Sequence, residues 1–444
     1  MSAAAERLGR LRERLRQVDY ERLNHVLIPS TNEERERWRK TRLGRAVQPL
    51  FWFYYALTPA GRGYALMLFP VGMFGLEIER ADVYVVWSLL MAAAVVSVAA
   101  RRAFAMDGVR VEVRAPARAV IDEPVNFAVE LTHDGDRAHA DVLVEGPFLP
   151  WDGRWDAPAP RLPVLAPGAR VTLTVTAKFR ARGEHHLDPF HVGAMVPLGL
   201  TYGPLVRSRG VRFVVLPRAA RVTSVSMPLR PRHQPGGAPQ ALASGDSFEL
   251  RGLRPYRSGD PVRDLHARSW ARTGFPVVRE YQQEHFRRAA VVLDPDVRGQ
   301  RDPAVLDAAV SLAAGLVSYL SREDALVDLV LIGARVHELH AQGGRAQEVL
   351  GAALDLLACV QPGESFDAGR VLKALGPFAP RLSAAVVVTC APSDDHAVVA
   401  AQLRALGVEC KVVAIHREGA TSEAPAGVTS LSHRAVLAGE PVSV

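Results

Sequence analysis

The sequence predicts a multidomain chain that combines a transmembrane helical hairpin, a β-sandwich, and an α/β domain with a mostly parallel sheet. Three observations predict it. Two uncharged apolar runs, residues 63–76 and 83–100, lie close together near the N-terminus. Between Gly108 and Pro217, apolar residues alternate with period two, the signature of half-buried strands. From Ala289 onward, β-branched runs alternate with helix-length apolar stretches, the rhythm of βα units around a sheet covered on both faces.

Residues 1–45 read as an N-terminal cytoplasmic amphipathic helix. Leu8, Leu11, Leu15 and Val18 fall on one stripe, with arginines and glutamates elsewhere. Such a face suits an anionic membrane surface or a partner helix, and equally a solvated helix with a modest docking stripe. Residues 46–104 read as a membrane hairpin with spans at about 63–78 and 83–100. The second run reaches the length of about 17–20 apolar residues that a helix needs to cross a bilayer. The first reaches it with help from the uncharged stretch 46–61, whose Phe51, Trp52, Phe53, Tyr54 and Tyr55 suit a membrane interface.

Charge supports that placement. The chain of 444 residues carries a net charge of +7, and residues 1–62 hold 13 Lys+Arg against 7 Asp+Glu. The remainder is nearly neutral, at 41 against 40. A basic excess beside an apolar run orients a membrane segment, which argues against nucleic acid as the partner. Arg39, Lys40, Arg42, Arg45 and Arg62 precede the hairpin, and Arg101 and Arg102 follow it. Arginines on both outer flanks predict a multi-pass protein of the inner (cytoplasmic) membrane with both termini in the cytoplasm. Cys359, Cys390 and Cys410 show neither metal-ligand nor redox spacing and read as small hydrophobes.

Residues 105–225 read as the β-sandwich, with strands such as VNFAVELT (125–132) and VTLTVTAKF (171–179) between turn clusters. His185, His186 and His191 read as surface histidines, since their spacing suits no metal centre. Residues 226–245 form a Pro/Gly-rich linker. Residues 289–444 form the α/β domain, in which His337-Glu-Leu-His340 falls one residue short of zinc-protease spacing and reads as a strand.

The stretch 246–288 stands apart. Nine arginines fall between Arg251 and Arg288 against four carboxylates, with no lysine. Arginine's planar donor fork suits carboxylates, phosphates and aromatic faces, so the bias points to specified contacts. Leu250, Leu253, Tyr256, Val262, Leu265 and Trp270 thread the charges, which predicts a segment packed against the α/β domain with Asp260 in a buried ion pair. The signature residues are Glu249, Leu253-Arg254, Tyr256, Gly259-Asp260, Arg263, Leu265, Ala271-Arg272 and Val278-Arg279-Glu280. In spacing and type they are similar to the pattern of the bacterial "domain of unknown function 58" family. Ala267 stands where that family has tryptophan, and Trp270 is close enough to fill the same space.

That resemblance implies membrane anchoring and a von Willebrand factor A-like C-terminal domain. It also implies a MoxR-type AAA+ ATPase as partner, in assembly or maturation of envelope or metalloprotein complexes. Partners are then that ATPase, other membrane or envelope proteins and the lipid bilayer. Arg254, Arg263, Arg268, Arg272 and Arg279 are the expected partner contacts, with Glu249, Tyr256, Gly259, Asp260, Trp270 and Glu280 as the structural signature. Domains of the von Willebrand type hold Mg2+ beyond the first strand on an Asp-x-Ser-x-Ser motif. This chain reads Asp294-Pro-Asp296-Val-Arg298, with Ser365 in a later loop. Arg298 is repulsive to a cation, so the expectation is no cofactor, with Asp294, Asp296 and Ser365 as the weakened Mg2+ candidates. The chain has neither a Gly-x-x-x-x-Gly-Lys-Ser/Thr loop nor a Gly-x-Ser-x-Gly elbow. The expectation is therefore a non-enzymatic, membrane-anchored adaptor. The alternatives are a metal-dependent hydrolase using Asp294, Asp296 and Asp260, and a nucleic-acid binder through the arginine segment.

Overall fold

The computed structural model describes residues 37–38, 40–75, 81–150, 152–227, 250–260, 262–281, 287–298, 302–323, 325–333, 336–340, 346–363, 366–417 and 427–444. Most of the predicted N-terminal helix, residues 1–36, and almost all of the predicted linker lie outside them. The chain divides into two compact units, Met1–Leu216 and Pro217–Val444.

In the first unit, helix α1 (Arg42–Ala56) is capped by Thr41, whose Oγ1 accepts from the Gly44 N–H at 3.0 Å. Helices α2 (Pro59–Gly75) and α3 (Ala81–Ala100) pack side by side. Gly72 lets α2 approach the Trp87 indole, which donates to the Leu68 carbonyl at 3.2 Å. Tyr64 donates to the Leu90 carbonyl at 2.7 Å. With the 3-10 turn that follows it, α3 forms a helix of 23 residues, Asp82–Phe104, almost none of it buried. It is long and apolar enough to cross a membrane. Leu66, Phe69 and Met73 on α2 and Val85, Leu89 and Val96 on α3 are all more than half exposed.

The strands of this unit are β1 (Val109–Arg114), β2 (Arg118–Val120), β3 (Val125–His133), β4 (His139–Glu145), β5 (Gly153–Trp155), β6 (Arg161–Leu165), β7 (Arg170–Phe179), β8 (Gly183–Leu187), β9 (His191–Ala194), β10 (Val206–Arg207) and β11 (Val211–Leu216). They form sheets of order β1-β3-β7-β5, β10-β9-β4-β6 and β2-β11-β8. Strand β3 buries every second residue, and Phe127, Val129 and Leu131 meet Phe179, Phe190 and Phe213 in one core.

The stretch Gly199–Tyr202 ties this sandwich to the helix bases. The Thr58 N–H donates to the Leu200 carbonyl at 3.1 Å and the Tyr202 N–H to the Ala56 carbonyl at 3.0 Å. Buried Ser97 and Thr201 share a 2.8 Å hydroxyl bond, and Arg62 pairs with Glu145. Gly61 is obligatory here, since a Cβ would lie 1.9 Å from the Leu200 oxygen. One expectation is corrected at this junction, and another gains a contact. Tyr54 and Tyr55 of the aromatic cluster both pack on Phe148, and Tyr55 stacks on His191 at 4.2 Å. His185 and His191 are buried, not surface, residues, with His185 Nε2 at 2.7 Å from the buried Asp152 carboxylate.

The second unit starts earlier than the sequence suggests. Strand β12 (Val222–Ser224), within the stretch read as the end of the sandwich, instead pairs with the C-terminal β21 (Val442–Ser443). Between them come the hairpin β13 (Leu250–Pro255) and β14 (Val277–Tyr281), enclosing helix α4 (Ala267–Thr273). The chain continues with β15 (Arg287–Asp294), α5 (Pro303–Arg322), β16 (Ala325–Ile332), β17 (Val336–Leu339), α6 (Ala346–Ala358), α7 (Ala368–Leu375), β18 (Ala384–Thr389), α8 (Asp394–Ala405), β19 (Glu409–His416), β20 (Val428–Ser432) and α9 (His433–Ala438).

The main sheet has the order β17-β16-β15-β18-β19-β20, parallel except for the edge strand β17. Side chains of β15 alternate between two cores. Ala289, Val291 and Leu293 meet α5, α6 and α9 on one face, while Ala290 and Val292 meet α7 and α8 on the other. Helix α5 is also long and apolar enough to cross a membrane, but it is mostly buried, which makes it a core helix.

Candidate functional site

The arginine segment folds locally. Strands β13 and β14 pair antiparallel, and the chain between them turns at Gly259, whose φ of +102° favours glycine. Asp260 closes that turn. Both of its oxygens accept from Arg254, at 2.7 and 2.8 Å, and Oδ2 also accepts the Arg257 N–H at 2.8 Å. These donors, the Arg254 side chain foremost, hold the carboxyl at about 2. Helix α4 is capped by the His266 ring, which accepts from the Ser269 N–H, and ends at Gly274 in the left-handed region.

Most of the apolar side chains predicted to bury this segment do not do so. Leu253, Tyr256, Val262 and Trp270 are exposed, as is Phe275, Leu265 is half-buried, and burial falls instead on Val277 and Val278. Nor is Asp260 a buried pair with the α/β domain. That role belongs to Arg288 and Asp328, whose bidentate bonds of 2.7 and 2.8 Å join β15 to β16 inside the core. Arg254 is spent on Asp260, which leaves Arg263, Arg268, Arg272 and Arg279 exposed on the hairpin and α4. Gly259, Tyr256 and Trp270 share that structure. Glu280 lies in β14, and Glu249 and Ser365 fall outside the described residues.

A second constellation lies at the carboxyl ends of β15 and β18, which are neighbours in register at Asp294 and Thr389. The chain leaves β15 towards β16 on one side and returns through β18 towards β19 on the other, so these two strands flank the topological switch point. Ligands of open α/β sheets gather in the crevice there. Asp294 is fully buried and accepts three hydrogen bonds: from the Asp296 N–H at 3.0 Å, Thr389 Oγ1 at 2.8 Å and His396 Nε2 at 3.1 Å. Asp296, also buried, is gripped by Arg298 through Nε at 2.8 Å and Nη2 at 2.6 Å. Burial raises the Asp296 carboxyl, but the Arg298 side chain and N–H outweigh it and hold it low. Phe366 stacks on the His396 ring at 3.8 Å.

The structure brings Asp294 and Asp296 together as the sequence implies, and adds Thr389 and His396, which sequence reasoning missed. Ser393-Asp-Asp-His396 is the missed signal. It is a capping box with histidine in the place usually held by Glu or Gln. Among the described residues, no three His, Cys, Asp or Glu side chains are placed to hold a metal ion.

No protein-family model matches the chain, and no curated protein matches it in sequence. Solved structures give partial likenesses. One is Escherichia coli alpha-2-macroglobulin from domain MG7 to the C-terminus, at 16% identity and TM-score 0.20, covering 26% of this chain and 17% of that one. Another is AvmM, which catalyses macrocyclization in alchivemycin A biosynthesis, at 15% identity and TM-score 0.19, covering 24% of this chain and 89% of that one. A third is a Pyrococcus furiosus CARDB domain in complex with di-metal ions, at 12% identity and TM-score 0.17, covering 24% and 89%. Overlaps this small and loose assign neither family nor activity.

Proposed function

We propose that the chain is a membrane-anchored interaction platform whose arginine hairpin docks a protein partner. The observation that carries this reading is the exposure of Arg263, Arg268, Arg272 and Arg279 beside Leu253, Tyr256, Val262 and Trp270. Arginine and large aromatics together are the residues that dominate protein–protein contacts. The exposed apolar flanks of α2 and α3 support an anchor of two spans, read as multi-pass in the inner membrane with both termini cytoplasmic. The likeness to the "domain of unknown function 58" signature, with its von Willebrand A-like final domain, supports a MoxR-type AAA+ ATPase as the partner. Assembly of envelope or metalloprotein complexes is the process it serves.

A metal-dependent hydrolase needs Asp260, Asp294 and Asp296 available together. Asp260 is committed to Arg254 in the hairpin, and the other two carboxylates have their oxygens covered. For nucleic acid, nothing beyond the arginines themselves speaks.

The test is cross-linked capture from native membranes, comparing the parent with Arg268→Ala/Arg272→Ala. The variant is expected to stay folded and lose an ATPase that the parent captures. Equal capture by both would overturn the role of the hairpin. Reporter fusions after residue 105 and at the C-terminus should both behave as cytoplasmic, and an exported signal from either would reverse the topology.

A further inference from the structure

We infer that the crevice at the β15–β18 switch is a divalent-cation position taken over by the chain's own donors, with His396 and Arg298 holding it closed. The argument begins at Ser393. A backbone N–H can only donate, and that of Ser393 lies 3.1 Å from His396 Nδ1. Nδ1 therefore keeps its lone pair towards Ser393, and the ring hydrogen sits on Nε2, facing Asp294 Oδ2 at 3.1 Å. In that tautomer Nε2 has no lone pair to offer a metal. The Phe366 ring, stacked within 3.8 Å, keeps the imidazole in this plane.

Asp294 thus faces a neutral donor where a cation would engage it, and Thr389 spends its hydroxyl hydrogen on the same oxygen. Arg298 supplies a positive charge, laid across Asp296 from the solvent side with 60% of its side chain exposed. The residues present do not fit a bound metal as they stand. Without the two covers, the side chains left at these strand ends, Asp294, Asp296 and Thr389, offer oxygen donors alone. Hard oxygen donors of that kind, completed by water, suit Mg2+ or Mn2+.

The experiment titrates Mn2+ into the detergent-solubilised full chain and follows the spectrum of free Mn2+ by electron paramagnetic resonance. The native chain is expected to leave the ion free. Arg298→Ser/His396→Ala is expected to bind about one Mn2+ per chain, roughly tenfold or more tighter than the native protein. Binding by the native chain that Asp294→Ala abolishes would overturn the inference. So would the absence of binding in the double variant when it melts like the parent. Should the double variant not fold, Arg298→Ser alone leaves the His396 cap of α8 in place, and it is expected to bind Mn2+ more weakly than the double variant but measurably. No binding there would equally overturn the inference.

Discussion

Asp260 sits at about 2 in the folded hairpin because Arg254 and the Arg257 N–H favour its charged form, against about 3.9 in an unfolded chain. A depressed carboxyl contributes stability above its unfolded value and loses it as pH falls through the folded one. The hairpin should therefore loosen between about pH 4 and pH 2, and Asp260→Asn should remove that dependence. Hydrogen exchange of the β13 and β14 amides reads it directly. His191 works in the other charge sense but the same direction. Burial first, with Arg207 adding to it, pulls its imidazole down to about 4. Protonation is then easier in the unfolded chain, so stability is complete above about pH 6.5 and falls away towards pH 4. Exchange at β9, corrected for intrinsic rate, should quicken from pH 7 to pH 5 in the parent and not in His191→Phe. Arg288 and Asp328 make the larger claim. Asp328→Ala leaves a guanidinium buried without its carboxylate and should cost about 3–5 kcal/mol, seen as an early melt. Nothing in the arginine run distinguishes Arg288 from Arg254. Only the neighbouring strand decides which of them is enclosed.

Between elements, the contacts that matter are close approaches at glycine. Gly61→Ala places a methyl against the Leu200 carbonyl, which cannot swing aside as a flexible side chain does. It should cost about 1–3 kcal/mol and expose the Tyr202 region to limited proteolysis. Gly72→Val should push α2 from α3 by displacing Trp87, with a shift in tryptophan fluorescence as the readout. Proteolysis or fluorescence indistinguishable from the parent would refute either contact. Elements with their own periodicity were legible in the sequence. The alternating strand over 125–132 and the buried run from Ala289 each declare their environment within a few residues. What was not legible depends on distant partners. Helices α3 and α5 are both long and apolar, yet one is bare and the other enclosed by a sheet. Tyr55 reads as an interface aromatic, and its own stretch does not announce that β9 brings His191 to its face. Asp294 and Asp296 were legible as a pair, while His396 came from a helix about a hundred residues on, under a capping pattern with an unusual third residue. The hairpin's Leu253 and Trp270 were misjudged because apolar content alone says nothing about whether a partner surface exists in the same chain.

At the scale of the molecule, each unit closes on itself through strands far apart in sequence. In the second unit β12 pairs with β21, the Ser226 N–H donates to the Val444 carbonyl, and Val442 and Val444 are buried. Removing residues 442–444 should cost on the order of 3 kcal/mol or more for two enclosed valines, and should lower the melting temperature. A melt unchanged from the parent would refute the closure. In the first unit, the Leu200 and Ala56 carbonyls, the Ser97–Thr201 hydroxyls and the Arg62–Glu145 pair form a short array of bonds between sandwich and helix bases. Such an array behaves mechanically as a weld rather than a hinge. A tug on the sandwich would load its bonds in parallel, and the pull would arrive at α2 and α3 as a tilt of the helices instead of being lost in a slack tether.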